Sequence, residues 1–397
     1  MTTRADQWET NPEQFWLRGR CPQKMVEFDE ETRMWHIYGY RESVEALSNP
    51  NIFSNDVGRL FPVSYDPSLD AGDFVQMDPP EHRKIRGLVH YAFKPKIVAD
   101  LEPRISEITH ELLDELQGKD RFDFVGEFAF PLTIIVIAEM LGVPTSHRHL
   151  FKQWMETILD GAGNLFPIDS EEEQQRDLEK GLAQLQVMRD YWCERAVERR
   201  SQPRHDLLTQ LIRTEVDGER LNDIEVSNIA NRLLIAGHHT TTMLLANTML
   251  CLDTFPEQAV QVREDRSLVP TLIEESLRFL SPIAGVLRAT TAEVEIAGRP
   301  IPKDQAVNVW CGAANRDERQ FANPHVFDSR RAPNAHIGFG HGVHSCLGQR
   351  LARIEGRTAL NIVLDRLPKL RTDPDNPPRF FEVADATGLA KMPVLVG

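Results

Sequence analysis

From Asn222 to Pro256 the chain runs for roughly 30 residues without an intervening proline. At a rise of 1.5 Å per residue, a helix over that stretch reaches about 45–50 Å. Asn222 followed by Glu225 fits a helix N-cap and its reciprocal partner. The first turns are polar, through Glu225, Asn228, Asn231 and Arg232, and from Leu233 the pattern is apolar on most sides. A helix of this kind enters from the surface and is then surrounded. One that long crosses a whole globular protein, so the remaining chain has to be packed around it.

The flanking patterns supply that packing. Ile105, Ile108, Leu112, Leu113 and Leu116 keep helical spacing, as do Leu178, Leu182, Leu185, Met188 and Trp192. Between these two helices, Gly161, Gly163 and Pro167 predict a break. Strand patterns lie toward the ends of the chain. Met25–Phe28 and Met34–Tyr38 read as a hairpin, and Val294–Ile296 and Gln305–Trp310 alternate as strands do. The stretch from Pro50 to Pro80 has little periodicity but is too apolar for an idle loop, with Phe53, Leu60, Phe61, Phe74 and Met77. It reads as a binding loop in a pocket wall. The expectation is one mainly α domain over residues 1–397, with a helical portion at about 80–280 and 347–367. A smaller β portion comes from about 20–50, 285–330 and the C-terminal strands.

A net charge of −15 excludes nucleic acid as a partner, because a phosphate backbone needs a basic face. It also disfavours an anionic lipid surface. Five scattered cysteines without paired spacing fit a reducing compartment. The apolar run Pro131–Ala138 is too short to span a bilayer. These observations predict a cytoplasmic protein that does not enter a membrane.

Phe339 to Gly348 reads Phe-Gly-His-Gly-Val-His-Ser-Cys-Leu-Gly, directly before a helical pattern. Glycines allow close approach of backbone to a ligand, and a cysteine beside a helix start is favoured as thiolate. A glycine-lined thiolate suits an axial ligand to haem iron; taken alone, the segment also fits a surface turn with a small buried cysteine. The spacing Phe-x-x-Gly-x-His-x-Cys-x-Gly resembles the haem-binding segment of the cytochrome P450 superfamily, in its soluble bacterial form.

That resemblance implies the P450 fold, a helical lobe plus a small β-rich lobe, with haem between the long helix and the cysteine loop. It makes Cys346 the axial ligand, Phe339 its shield, and Gly348 part of the binding loop. Ala236-Gly237-His238-His239-Thr240-Thr241 resembles the family's oxygen-activation motif. Thr240 is then the hydroxyl that manages protons. His239 stands where the family usually has a carboxylate, and an imidazole also passes protons near neutral pH. Gly237, costly inside a helix, is expected either to open the helix locally or to serve packing. Glu275 and Arg278 resemble the family's Glu-x-x-Arg pair, with Arg331 as third partner, and are assigned to structure. His82, Arg86, Arg288 and His344 resemble the partners of the haem propionates, carboxylates that arginine binds in paired hydrogen bonds.

The resulting expectation is a haem-thiolate monooxygenase that inserts one atom of O2 into an apolar small molecule by hydroxylation or epoxidation. The cofactor is haem b, and NAD(P)H acts only indirectly. Electrons come from a ferredoxin with its reductase, or from a flavodoxin-type donor, docked against a stripe of Arg350, Arg353 and Arg357. The substrate pocket is expected from Leu60, Phe61, Ala236, Ile283, Ala284 and Val286, with Gly285 leaving room, in a monomeric protein. Two other readings stand beside it: a peroxide-driven peroxygenase, which Thr240 disfavours, and a non-catalytic haem sensor or carrier.

Overall fold

The computed structural model describes residues 3–60, 68, 71–147, 150–151, 153–154, 171–216 and 218–397. Phe61 and the Gly161–Pro167 break lie outside the described residues. The chain divides into two compact units. The first comprises Met1–Pro62, Pro95–Leu132 and Thr240–Gly397, the second Val63–Lys94 and Thr133–His239.

The first unit holds a five-stranded sheet. Its hairpin pairs β1 (Val26–Asp29) with β2 (Met34–Ile37), with Val26 opposite Ile37. β3 (Phe53–Ser54), β4 (Val286–Thr290) and β5 (Ala306–Val309) complete the order β1-β2-β5-β4-β3. β5 runs parallel to β2 and antiparallel to β4, so chain from both ends of the sequence meets in one sheet. Trp35, Ile37, Phe53, Val307 and Val309 cluster with Leu47 and Ile337 into a buried core. β-branched and aromatic residues at alternate positions put that apolar face inward.

The helices that carry the functional side chains and their supports are α1 (Glu81–His90), α2 (Glu102–Glu115), α3 (Phe130–Leu141), α4 (Glu171–Ser201), α5 (Leu207–Arg213), α6 (Asp223–Thr254), α7 (Val269–Phe279) and α8 (Gln349–Arg366). In α6 the Glu225 N–H donates to Asn222 Oδ1 at 3.0 Å, and the Asn222 N–H donates to Glu225 Oε2 at 2.8 Å. The helix then continues for 32 residues. Asp123 starts a π-helical stretch, Phe124–Ala129, that runs straight into α3. The apolar helical length is therefore greater than the run Pro131–Ala138 suggested. Phe124–Leu141 is long and apolar enough to cross a membrane, but 78% of it is buried inside the protein, as in a core helix.

Candidate active site

The cysteine segment folds as a glycine-dependent turn in the first unit. Gly340 and Gly342 take φ of +70° and +71°, a region that strains residues with a side chain. A Cβ on Gly342 would lie 2.3 Å from the Leu47 carbonyl oxygen. The Gly340 N–H donates to Ile337 O at 2.9 Å, and the Cys346 N–H donates to Phe339 O at 2.8 Å. These bonds fold half-buried Cys346 back beside Phe339. α8 starts at Gln349, with Gly348 as its N-cap.

Phe339 is backed by charge. The Arg353 guanidinium sits 4.5 Å from the Phe339 ring centroid and donates to both Glu274 oxygens, at 2.7 and 2.8 Å. His336 Nε2 lies 3.1 Å from the same carboxylate. Burial would raise the Glu274 pKa, but hydrogen bonds from Arg353 and His336 outweigh it and hold it at about 2. Sequence reasoning missed Glu274; its one signal was a second glutamate beside Glu275 on a helix rich in apolar residues.

Arg288 lies on β4 opposite Val307, 8% exposed, and its Nη1 donates to the Leu287 carbonyl at 2.6 Å. His344 is half-buried and closes the single 3₁₀ turn Gly342–His344. A thiol on a turn cleared of Cβ atoms and a buried guanidinium are the donor set for a flat group with a metal and carboxylates. The residues present fit haem.

Glu275 and Arg278 form a buried hub in the same unit. Both side chains are 0% exposed. Arg278 Nε and Nη2 donate to the two Glu275 oxygens at 2.8 Å each, and Arg278 Nη1 donates to the carbonyls of Asn315 and Pro324 at 2.9 and 2.8 Å. Arg331 Nε reaches both Glu275 oxygens at 3.1 Å. Such a pair is tolerable in the interior only because its remaining sites are bonded.

The second unit carries the other residues. His82 and Arg86 share one face of α1, and His82 is 1% exposed. Burial, then the charge of Arg86, lowers the His82 pKa. On α6 the helix is continuous through Gly237. Of the two expectations for Gly237, packing has direct support: a Cβ would lie 3.2 Å from Ile137 Cδ1. The rings of His238 and His239 stand 4.5 Å apart. Burial lowers the His239 pKa to about 4 and that of His238 well below its usual value. Thr240, half-buried, follows His239 on the helix and begins the next stretch of the first unit.

The pocket expectation needs correction around Pro282. Ala284 is fully buried in a cluster with Trp16, Trp310 and Ala313. Gly285 leaves no spare room, because a Cβ there would lie 2.8 Å from Asn308 Oδ1 and 3.1 Å from Trp310. Small residues here let the chain pass close to two aromatic side chains. Val286 packs on the sheet core, whereas Ile283 is 37% exposed. Leu60 is half-buried at the end of the turn Gly58–Leu60, and Ala236 is exposed on α6.

The arginine stripe on α8 is also less free than expected. Arg353 is committed to Glu274, and Arg357 Nη2 donates to both Glu102 oxygens at 2.8 Å. Arg350 remains exposed. A separate group, Cys21, Glu318 and His325, brings its metal-capable atoms within 4.8 Å of one another. Arg316 lies 3.4 Å from His325 Nδ1, placing a cation where the support of a metal-bound histidine should accept a proton. That group is not built as a metal centre.

The family model for Cytochrome P450 matches residues 7–393. The cyclomarin C epoxidase CymV of Salinispora arenicola (strain CNS-205) is 40% identical over 357 residues, 89% of each chain. A solved structure from work on unusual cytochrome P450-like monooxygenases of microbial secondary metabolism is 56% identical, with a TM-score of 0.93 over 98% of this chain and 99% of that one. The structure of HmtN, a post-tailoring hydroxylase of himastatin biosynthesis, is 49% identical, with a TM-score of 0.89 and full coverage of both chains (100%). With the glycine turn under Cys346 and a match over almost its whole length, the chain belongs to the cytochrome P450 family and is a monooxygenase.

Proposed function

We propose that this monooxygenase hydroxylates or epoxidises an apolar small molecule of terpenoid, steroid, fatty-acyl or polyketide type. Haem b is its cofactor, and electrons come from a separate ferredoxin with its reductase or from a flavodoxin-type donor. NAD(P)H feeds that donor and does not bind here. The protein acts as a monomer in the cytoplasm. The carrying observation is the Cys346 turn, in which two positive-φ glycines and the backbone bond to Phe339 fold the cysteine back beside Phe339, directly ahead of α8.

When bound, haem supplies the activation of O2, and the overall change is RH + O2 + 2 electrons + 2 protons to ROH and water. Cys346 holds the metal as a thiolate. Arg288 and His344 would pair with the carboxylates, the role that the resemblance also gives His82 and Arg86. Thr240 passes protons through its hydroxyl. His239, neutral at pH 7 with its pKa near 4, relays a proton by accepting at one ring nitrogen and releasing from the other.

The test is a thiolate-type CO difference spectrum after expression with iron, followed by product assays over such apolar compounds with a ferredoxin system and with peroxide alone. Cys346→His should lose the spectrum and the oxygenation. Thr240→Ala should keep haem and divert electrons to peroxide. Product from peroxide alone at the full rate would instead make the protein a peroxygenase. A spin shift from small charged compounds only would refute the apolar pocket.

A further inference from the structure

Within the second unit, α1 and α5 line a cavity of about 870 Å³. Arg83, Gly87 and Tyr91 are four residues apart and stand on one side of it, with Lys84 and Leu88 next to them on α1. Arg204, Thr209 and Arg213 bound it from α5 and the turn ahead of that helix. This second wall is braced from within. The Arg204 N–H donates to Thr209 Oγ1 at 3.1 Å, and the Thr209 N–H donates to Asp206 Oδ1 at 2.8 Å. Buried Arg199 donates to the other Asp206 oxygen at 2.7 Å.

Among the described residues the lining carries Arg83, Lys84, Arg204 and Arg213 against one carboxylate, Glu215, in a chain of net charge −15. Glu215 is shared with Arg220 at 3.5 Å, and Arg204 is matched by Glu198 at 2.8 Å. Neither Arg83 nor Arg213 forms an ion pair among the described residues. Cations gathered around a concave space focus their field into it. Gly87 keeps that space open. It lies inside α1, where glycine weakens a helix, and no atom stands within 4 Å of the place its Cβ would take. Packing does not call for a glycine there.

The volume falls within the span of small-molecule sites, about 300–1,000 Å³. A guanidinium pairs with phosphate oxygens in a fork, and cations from two elements suit a group with several charges better than a single carboxylate. Leu88, Pro203 and the Tyr91 ring, 52% exposed, offer apolar surface for an organic remainder. We propose that this cavity binds a small organic phosphate, its charged end between Arg83 and Arg213 and its apolar part against Leu88 and Tyr91. The site uses none of the residues assigned to the cofactor, lies wholly in the second unit, and holds independently of the oxygenation reaction.

Pyrophosphate and ADP are titrated into the full-length protein by isothermal titration calorimetry at low salt. The variants are Arg83→Gln, Arg213→Gln, Gly87→Glu, Gly87→Ala and, on the first unit, exposed Arg379→Gln, each matching wild type in far-UV circular dichroism. Both probes should bind, ADP more tightly, since pyrophosphate has no apolar part. Arg83→Gln and Arg213→Gln should each weaken both probes roughly tenfold or more. Gly87→Glu, which sends a carboxylate into the open space, should abolish binding, whereas Gly87→Ala and Arg379→Gln should keep the wild-type affinity. Failure of both probes to bind, or equal weakening by Arg379→Gln, would overturn the site, and ADP no tighter than pyrophosphate would overturn its organic half. Slower reduction by a ferredoxin in Arg83→Gln, with neither probe bound to wild type, would give the groove to an acidic protein instead and overturn the phosphate site. The calorimetry does not read haem, so a chain that binds no haem refutes the proposed function and leaves this test standing.

Discussion

Replacing Glu275 by glutamine should cost this protein more stability than almost any other change of a single oxygen to nitrogen. Oε1 accepts from Arg278 Nη2 at 2.8 Å, the Asp328 N–H at 3.0 Å and Arg331 Nε at 3.1 Å. Oε2 accepts from Arg278 Nε at 2.8 Å, and from Arg331 Nε and Asn334 Nδ2 at 3.1 Å. Every contact is a donor, so a glutamine amide turned either way points its N–H groups at donors. It also leaves Arg278, 0% exposed, without a counter-charge. Breaking a buried pair in this way costs about 3–5 kcal/mol. At ~2.1 cal/mol/K per residue, 397 residues give an unfolding entropy of roughly 0.8 kcal/mol/K. Glu275→Gln should therefore melt about 4–6 °C lower, by far-UV circular dichroism at one fixed scan rate, since large proteins often unfold irreversibly. Arg331→Met should cost less, because that side chain is 11% exposed and sits at the edge of the hub. A Glu275→Gln melting point within about 1 °C of wild type would refute the account of the hub.

Gly342→Ala meets both a positive φ and the Leu47 carbonyl, so its haem content after purification should fall. Gly118→Ala, with φ +87° and nothing within 4 Å, is the control that strains the backbone but should keep haem. His239 is held neutral by burial, with its pKa dropping from 6.5 to about 4. The unfolded chain binds the proton first on acidification, so the stability tied to this residue is complete above pH 6.5 and is lost as pH falls toward 4. His239→Gln should flatten that fall by ~3 kcal/mol in denaturant titrations between those pH values, and an unchanged pH profile would contradict it. Arg350→Gln should slow electron delivery from an acidic ferredoxin in a salt-dependent manner. Arg357→Gln, which unties Glu102, should act mainly on stability, and equal slowing by the two would refute the distinction.

The features legible in the sequence are local ones: the cap at Asn222, the hairpin that pairs Val26 with Ile37, and the turn glycines around Cys346. Each depends on residues a few places apart, where spacing carries geometry. Ala284 and Gly285 show where such reading fails. Smallness signals only that something passes close, and here Trp310 does. Arg353 and Arg357 fail in the same manner, because a basic stripe read along one helix omits carboxylates brought to it from Glu274 and Glu102. Asp73 gave no signal of its own. Its partner Arg232 lies 159 residues away, and only folding shows that the polar turns of α6 face a loop.

The hub around Glu275 also has a consequence for how the chain is made. Arg278 is present within the same helical turn, but the Asp328 amide and Asn334 lie 53 and 59 residues further along. During synthesis α7 emerges with the Glu275 carboxylate still bonded by water, and it cannot be buried without cost until these donors replace that water. Closing a loop of that length costs about 3.5 kcal/mol of chain entropy before any donor arrives. A helix in that condition is exposed to premature association with other apolar chain. The late arrival of Asp328 to Asn334 thus times the moment at which the nascent protein can bury α7, so variants in that short stretch should reveal themselves as poor yield from the ribosome before they reveal themselves as poor catalysts.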